Sequence, residues 1–202
     1  MKRHRIDEFS LRIQKYSEQI FKVEKVFILL CLLLFSFSTS AFTAPKNGKK
    51  SLNSVNVQAA LIKNFTHLIE WPQNTTAKNN AIFSLCIHRS KTLEQQFKDI
   101  FTDKKIKGRP VNIQNVDSDT LNACDLIYMT ADSKASMARI LSQANQLGVL
   151  TISAQDGFGQ QGTHINFYEN EQRMAFELNK HALDRAGFQV SAQLYHYART
   201  IR

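Results

Sequence analysis

Beyond residue 50 the hydrophobic positions follow two periods that alternate along the chain. Val57, Leu61, Phe65, Leu68 and Ile69 recur at the spacing of one helix face. Trp71-Pro72 closes that helix, because proline drives the residue before it out of the α region. The run from Ala81 to His88 is short and almost continuously apolar, which predicts a central strand buried on both faces. Leu93, Phe97, Ile100 and Phe101 then form a helical stripe, and Arg109 to Asn115 alternates as a strand. Leu126 to Met129 reads as another strand, Met137, Ile140, Leu141 and Ala144 as a helix stopped by Gly148, and Val149 to Ile152 as a fourth strand. Repeating βα units of this size predict a parallel core with right-handed crossovers.

After Ile152 the period changes. His164 to Tyr168 and Arg173 to Leu178 read as two strands of a hairpin joined by Glu169 to Gln172. Their parity sends Ile165, Phe167, Met174, Phe176 and Leu178 inward, with Arg173 and Glu177 outward. Leu194, Tyr197, Ala198 and Ile201 suggest a closing amphipathic helix. The expected fold class is α/β: a mainly parallel sheet flanked by helices, with a C-terminal antiparallel β-hairpin and a closing helix.

The amino-terminal pattern is of a different kind. Val26 to Phe37 is an apolar run with one polar interruption, preceded by Lys22 and Lys25 and followed by small residues through Ala41. That order is the one a secretion signal has, so cleavage is expected after Ala41. The run falls short of the roughly 20 apolar residues a membrane span requires. Residues 1–25 carry more charge than a signal normally does and read as an upstream extension. The division expected is therefore 1–41 extension and signal, 42–54 linker, and 55–202 a single α/β domain.

Export changes the meaning of charge and cysteine. The formal charge of +9 falls to about +6 once the seven basic and four acidic side chains before residue 26 are removed. The basicity is dispersed, which argues against a nucleic-acid partner and for an acidic protein face or anionic headgroups. Cys86 and Cys124 are the cysteines left after cleavage, and an oxidising compartment predicts a disulfide between them.

Candidate chemistry is sparse. Gly157, Gly159 and Gly162 satisfy G-x-G-x-x-G, but the chain continues into a strand at Thr163 rather than into the helix a dinucleotide needs. The histidines show no metal-binding spacing, so no metal and no cofactor are expected. Asp156 and His164, on either side of the glycine-rich segment, are the one pair suited to acid–base work. No catalytic residue is assigned, and a small-molecule cleft near residues 156–162, at the carboxyl ends of the parallel strands, is the alternative to an interaction protein.

Several of these segments match a family in order. Val57 to Pro72, ending in Glu70-Trp71-Pro72, resembles the opening helix of YfiR-type proteins. Ile152 to Phe158, Gly162 with Ile165-Asn166, Phe176 to Asn179 through Ala186-Gly187, and Ser191 to Leu194 resemble that family's second half, so the likeness runs from about residue 55 to 200. The resemblance implies an often dimeric periplasmic protein that represses an inner-membrane diguanylate cyclase by binding its periplasmic sensing domain, limiting cyclic-di-GMP and biofilm formation. It also places Cys86 and Cys124 where a family disulfide lies, while a second cysteine pair of some relatives has no counterpart. Glu70, Trp71, Pro72, Asp156, Gly157, Phe158 and Gly162 are the candidate partner or ligand surface it implies. Trp71 and the glycines have a second reading, as an anchor for a helix end and as tight backbone.

Overall fold

The buried run at residues 83–88 is the centre around which the rest is laid. The computed structural model describes residues 48–73, 81–117, 121–130 and 134–201. The apolar run Val26–Phe37 and the cleavage point after Ala41 lie outside the described residues. In chain order the elements are α1 (Gly48–His67), β1 (Ile69–Glu70), β2 (Phe83–His88), α2 (Lys91–Phe101), β3 (Lys105–Ile106) and β4 (Arg109–Val116). A 3-10 turn (Leu121–Ala123) leads to β5 (Leu126–Met129), α3 (Lys134–Leu147) and β6 (Leu150–Ser153). The chain then forms β7 (Ile165–Asn170), β8 (Arg173–Asn179), α4 (Lys180–Arg185), β9 (Gln189–Val190), α5 (Ala192–Tyr197) and β10 (Arg199–Ile201).

Among the described residues, eight strands make one sheet in the order β10-β8-β7-β6-β5-β2-β4-β3. Neighbours run parallel except at β7–β8 and β3–β4. β2 lies between β5 and β4, the interior place that its unbroken apolar run predicts. A separate two-stranded ribbon pairs Ile69 with Val190 and Glu70 with Gln189, tying the end of α1 to the α4–α5 connection.

Strand parity divides the core in two. Leu85, Ile87, Leu126, Tyr128, Leu150, Ile152, Ile165, Phe167 and Leu178 face one cluster with Ile62 and Phe65 of α1 and Phe97 of α2. Cys86, Ile127 and Met129 face the other, against Met137, Ile140, Leu141 and Ala144 of α3. Gln58, a polar residue on the buried side of α1, accepts the Tyr128 hydroxyl at 2.6 Å. Cys86 and Cys124 form the expected disulfide across a sequence separation of 38.

Four expectations change. The first helix, expected to close at Trp71-Pro72, ends at His67, and Ile69 and Glu70 pair with Val190 and Gln189 as β1. α1 starts at Gly48, inside the stretch read as linker, because its polar first turns carry no apolar stripe to give a period. The closing helix ends at Tyr197: Ala198 is extended (φ −96°, ψ 151°), and Arg199 to Ile201 pair in parallel with Glu177 to Asn179. Glu177, expected to face solvent, is 2% exposed because Arg199 of β10 bonds its carboxylate. The hairpin turn is Glu171-Gln172, both at positive φ (47° and 63°), the backbone that Asn-Gly adopts most easily.

Candidate functional site

The segments singled out by sequence occupy two separate places. At the first, α1 delivers Trp71 to the amino-terminal ends of β2 and β5. Its indole N–H donates to the Asp125 carbonyl at 3.0 Å, and its ring meets Phe83 and Phe188 edge-on at 5.9 and 5.8 Å. Lys107 Nζ lies 5.3 Å from the indole centroid and donates to the Ile69 carbonyl at 2.9 Å. Arg109 stands over Phe83 at 4.9 Å and bonds Asp125 Oδ1 at 3.1 Å. Asp125 Oδ2 accepts the Ser84 amide at 2.6 Å. Burial pushes the Asp125 carboxyl up from its ordinary range, and the Ser84 amide and Arg109 guanidinium pull against that rise.

Trp71 is therefore a core residue, 9% exposed, rather than an open aromatic face. Glu70 is exposed beside it, bonded to Lys107 at 3.1 Å, and Pro72 is half-buried where a side chain at Gly187 would approach it at 3.4 Å. With φ +80°, Gly187 suits the left-handed turn that carries the chain past Pro72.

At the second place, the loop after β6 covers a sheet face that is polar and yet buried. Thr151, Ser153, Asn166, Glu177 and Asn179 are all at most 8% exposed. Asn166 Nδ2 donates to the Gln155 carbonyl at 3.0 Å and to Glu177 Oε1 at 3.2 Å. Asn179 Nδ2 donates to the Gly159 carbonyl at 2.8 Å, while its Oδ1 accepts the Ala182 amide and caps α4. Ser153 Oγ donates to the Met129 carbonyl and accepts the Gln155 amide. Arg199 closes the network from β10, bonded to Glu177 and lying 4.7 Å from the Tyr168 ring centroid. The glycine-rich loop is thus strapped to β7 and β8 by side chains.

Within the loop, Gly157 (φ 76°) and Gly162 (φ 110°) adopt backbone that a side chain would strain. The amides of Phe158, Gln161, Gly162 and Thr163 bond loop carbonyls, and β7 follows directly, so the G-x-G-x-x-G offers no helix amino terminus to a phosphate. Phe158 points into the cluster containing the disulfide and is 9% exposed. Asp156 and Gly157 are exposed at the tip, and Gly162 is half-buried against Leu141. Trp71 and Phe158 lie in different clusters on opposite faces of the sheet, so the two segments do not form one aromatic patch.

His164 is fully buried and its ring bonds run to Thr151 and Asn145, not to Asp156. Nδ1 accepts the Thr151 amide at 3.0 Å, which leaves the proton on Nε2, 3.1 Å from Asn145 Oδ1. Burial holds its pKa down at about 3. The folded state stays neutral there while the unfolded chain takes up a proton below about 6.5. Stability is therefore complete above that value and declines as pH falls toward 3, by about 1.4 kcal/mol per pH unit. Urea unfolding at pH 7 and pH 5 should show a larger drop for the native protein than for His164→Gln, the variant being weaker at pH 7 but flatter in acid.

Sequence reasoning missed Asn145, Thr151, Asn166, Glu177, Asn179 and Arg199 as a working group. Thr151, Asn166, Glu177 and Asn179 stand at alternate strand positions that read as solvent-facing, whereas in the fold they are buried, Glu177 with the help of Arg199. Among the described residues, no cluster of histidine, cysteine, aspartate and glutamate could hold a metal, and no helix is long and apolar enough to cross a membrane. A cavity of about 510 Å³, lined by other residues than these two places, lies between the end of α2 and the start of β4.

Comparison with known proteins gives one strong result. A family model described as DUF4154, YfiR/HmsC-like, matches residues 55–199. No curated protein matches. Among solved structures, a conserved domain protein from Vibrio cholerae is similar at 12% identity and TM-score 0.51, over 73% of this chain and 60% of that one. The ABC domain in complex with L-Trp from Streptococcus pneumonia is similar at 10% identity and TM-score 0.49, over 73% of this chain and 62% of that one. The chain thus spans about 60% of the length of the solved structures, and the first likeness concerns the fold alone.

Proposed function

The chain belongs to the YfiR/HmsC-like family, and from that membership we propose that it binds and represses the periplasmic sensing domain of an inner-membrane diguanylate cyclase. The family is one of periplasmic regulators of diguanylate cyclase signalling and is not catalytic. The observation that carries the proposal is the extent of the match, which runs from α1 to β10 and takes in both the Glu70-Trp71-Pro72 segment and the glycine-rich loop. Repression is stoichiometric, without turnover, and lowers cyclic-di-GMP and biofilm formation. The protein works as a homodimer in the periplasm, reached through the signal ending near Ala41.

The geometry supports a binding role in a specific way. Glu70 and Pro72 at one place, and Asp156, Gly157 and Gly162 at the other, are backbone-fixed positions presented by buried anchors, Trp71 below the first and Phe158 below the second. A surface ordered before contact loses little entropy on docking. The small-molecule alternative has its cleft near residues 156–162, in the loop that Asn166 and Asn179 bond to the sheet.

Deletion of the gene tests the proposal in the cell. Cyclic-di-GMP and surface attachment should rise, and a tagged copy should bring a membrane diguanylate cyclase with it on purification. Unchanged cyclic-di-GMP together with no co-purifying cyclase would reject it.

A further inference from the structure

The sheet is incompletely paired on one side. β3 covers β4 only at Arg109 and Pro110, so among the described residues no strand pairs with the outer side of Val111 to Val116. Alternate residues of such an edge hold their N–H and C=O groups sideways, where another chain can bond them. The cavity of about 510 Å³ runs along the beginning of this edge. Phe101, Val111 and Ile113 supply its apolar lining, and Lys98, Lys104 and Lys105 its charge.

We propose that this edge and its cavity form a strand-addition site for an extended, acidic, partly apolar segment of a partner protein. The partner's backbone pairs with the open side of β4, alternate apolar side chains enter the cavity, and the intervening carboxylates meet the lysines. Lys104 and Lys105 are exposed and have no carboxylate partner among the described residues, while Lys98 is held by Glu94 at 2.6 Å. One acid, Asp103, also lines the cavity, leaving a cationic balance. That balance selects the occupant. Two copies of this chain joined at β4 would bring like charges together, and the formal charge of the whole chain is likewise positive.

This site supplies a docking mode for the binding reading above and rests on it, but its test is separate from cyclic-di-GMP. The probe is a short peptide alternating valine with glutamate, compared with its valine–lysine counterpart and with a backbone N-methylated form of the acidic peptide. Amide hydrogen exchange is read across β4 of the full protein. The acidic peptide should slow exchange within Val111 to Val116 by about tenfold or more, and the other two should not. A Lys104→Glu, Lys105→Glu double variant, with unchanged circular dichroism, should bind the acidic peptide about tenfold more weakly. The proposal is overturned if β4 exchange does not respond, if the N-methylated peptide protects as well, or if the lysine peptide binds equally. It is also overturned if β4 becomes protected with rising protein concentration alone, which would make the occupant a second copy.

Discussion

Trp71→Ala should leave a protein that is largely unfolded or melts far below the native one. The side chain is 9% exposed, packs edge-on against Phe83 and Phe188, and donates its N–H to the Asp125 carbonyl. Truncating a buried tryptophan costs about 3–5 kcal/mol, a large share of the roughly 5–15 kcal/mol that holds a domain together. Trp71→Phe should be much milder, about 1 kcal/mol, because most of the packing survives and the Asp125 carbonyl keeps the Leu150 amide. Since this is the chain's single tryptophan, melting should be followed by circular dichroism rather than by fluorescence. The pair of variants separates the two readings of the Glu70-Trp71-Pro72 motif. A directly contacting tryptophan would give a stable Trp71→Ala protein that no longer binds, and the geometry predicts the opposite order, stability failing first.

The second large effect is expected from the disulfide. Cys86 sits in the middle of β2 and Cys124 in the approach to β5, so their bond joins two neighbouring strands through a closed segment of 38 residues. In the loop-entropy account, removing it frees the unfolded chain by about 4 kcal/mol. Cys86→Ala/Cys124→Ala should therefore lower the guanidinium midpoint sharply, with the fold kept at low denaturant. Both sulfurs belong to residues at most 3% exposed. A mild reductant should accordingly leave the native melting temperature unchanged over short exposure and act only as the chain opens. Rapid reduction of the folded protein would place the bond at a mobile or open site instead.

The sequence carried the helices and parallel strands because each has an apolar face that must be buried, and burial leaves a period. Leu93 to Phe101 and the strand runs at 83–88, 126–129 and 150–153 show this, whereas α1 buries Val55, Ala59, Ile62 and Phe65 and leaves Val57, read as part of its apolar face, 44% exposed. Three features left no such trace. β10 has a helix-like spacing from Leu194 to Ile201, and only the pairing with β8 and the Arg199–Glu177 ion pair make it a strand. The two-residue ribbon of β1 and β9 is too short for any period. The polar face under the 155–162 loop was misread because its residues alternate as solvent-facing ones do. What the sequence offered there was the order of the motifs, and the structure supplies their reason: Asn166, Glu177 and Asn179 hold Gln155 and Gly159 in place or complete the network that does.

The same distinction sharpens the candidate surface. Of the residues first grouped together, Trp71 and Phe158 act from beneath, and Glu70, Pro72, Asp156, Gly157 and Gly162 are the positions a partner could reach. Substitutions at the exposed members test binding without the loss of fold that the buried pair would cause.

The claim that matters most is repression by direct, stoichiometric binding. It is tested by adding the purified, oxidised protein to membranes containing the inner-membrane diguanylate cyclase of the same cell and measuring cyclic-di-GMP synthesis. Synthesis should fall in proportion to protein added and level off once the cyclase is matched. Synthesis that stays constant through a stoichiometric excess would contradict the account.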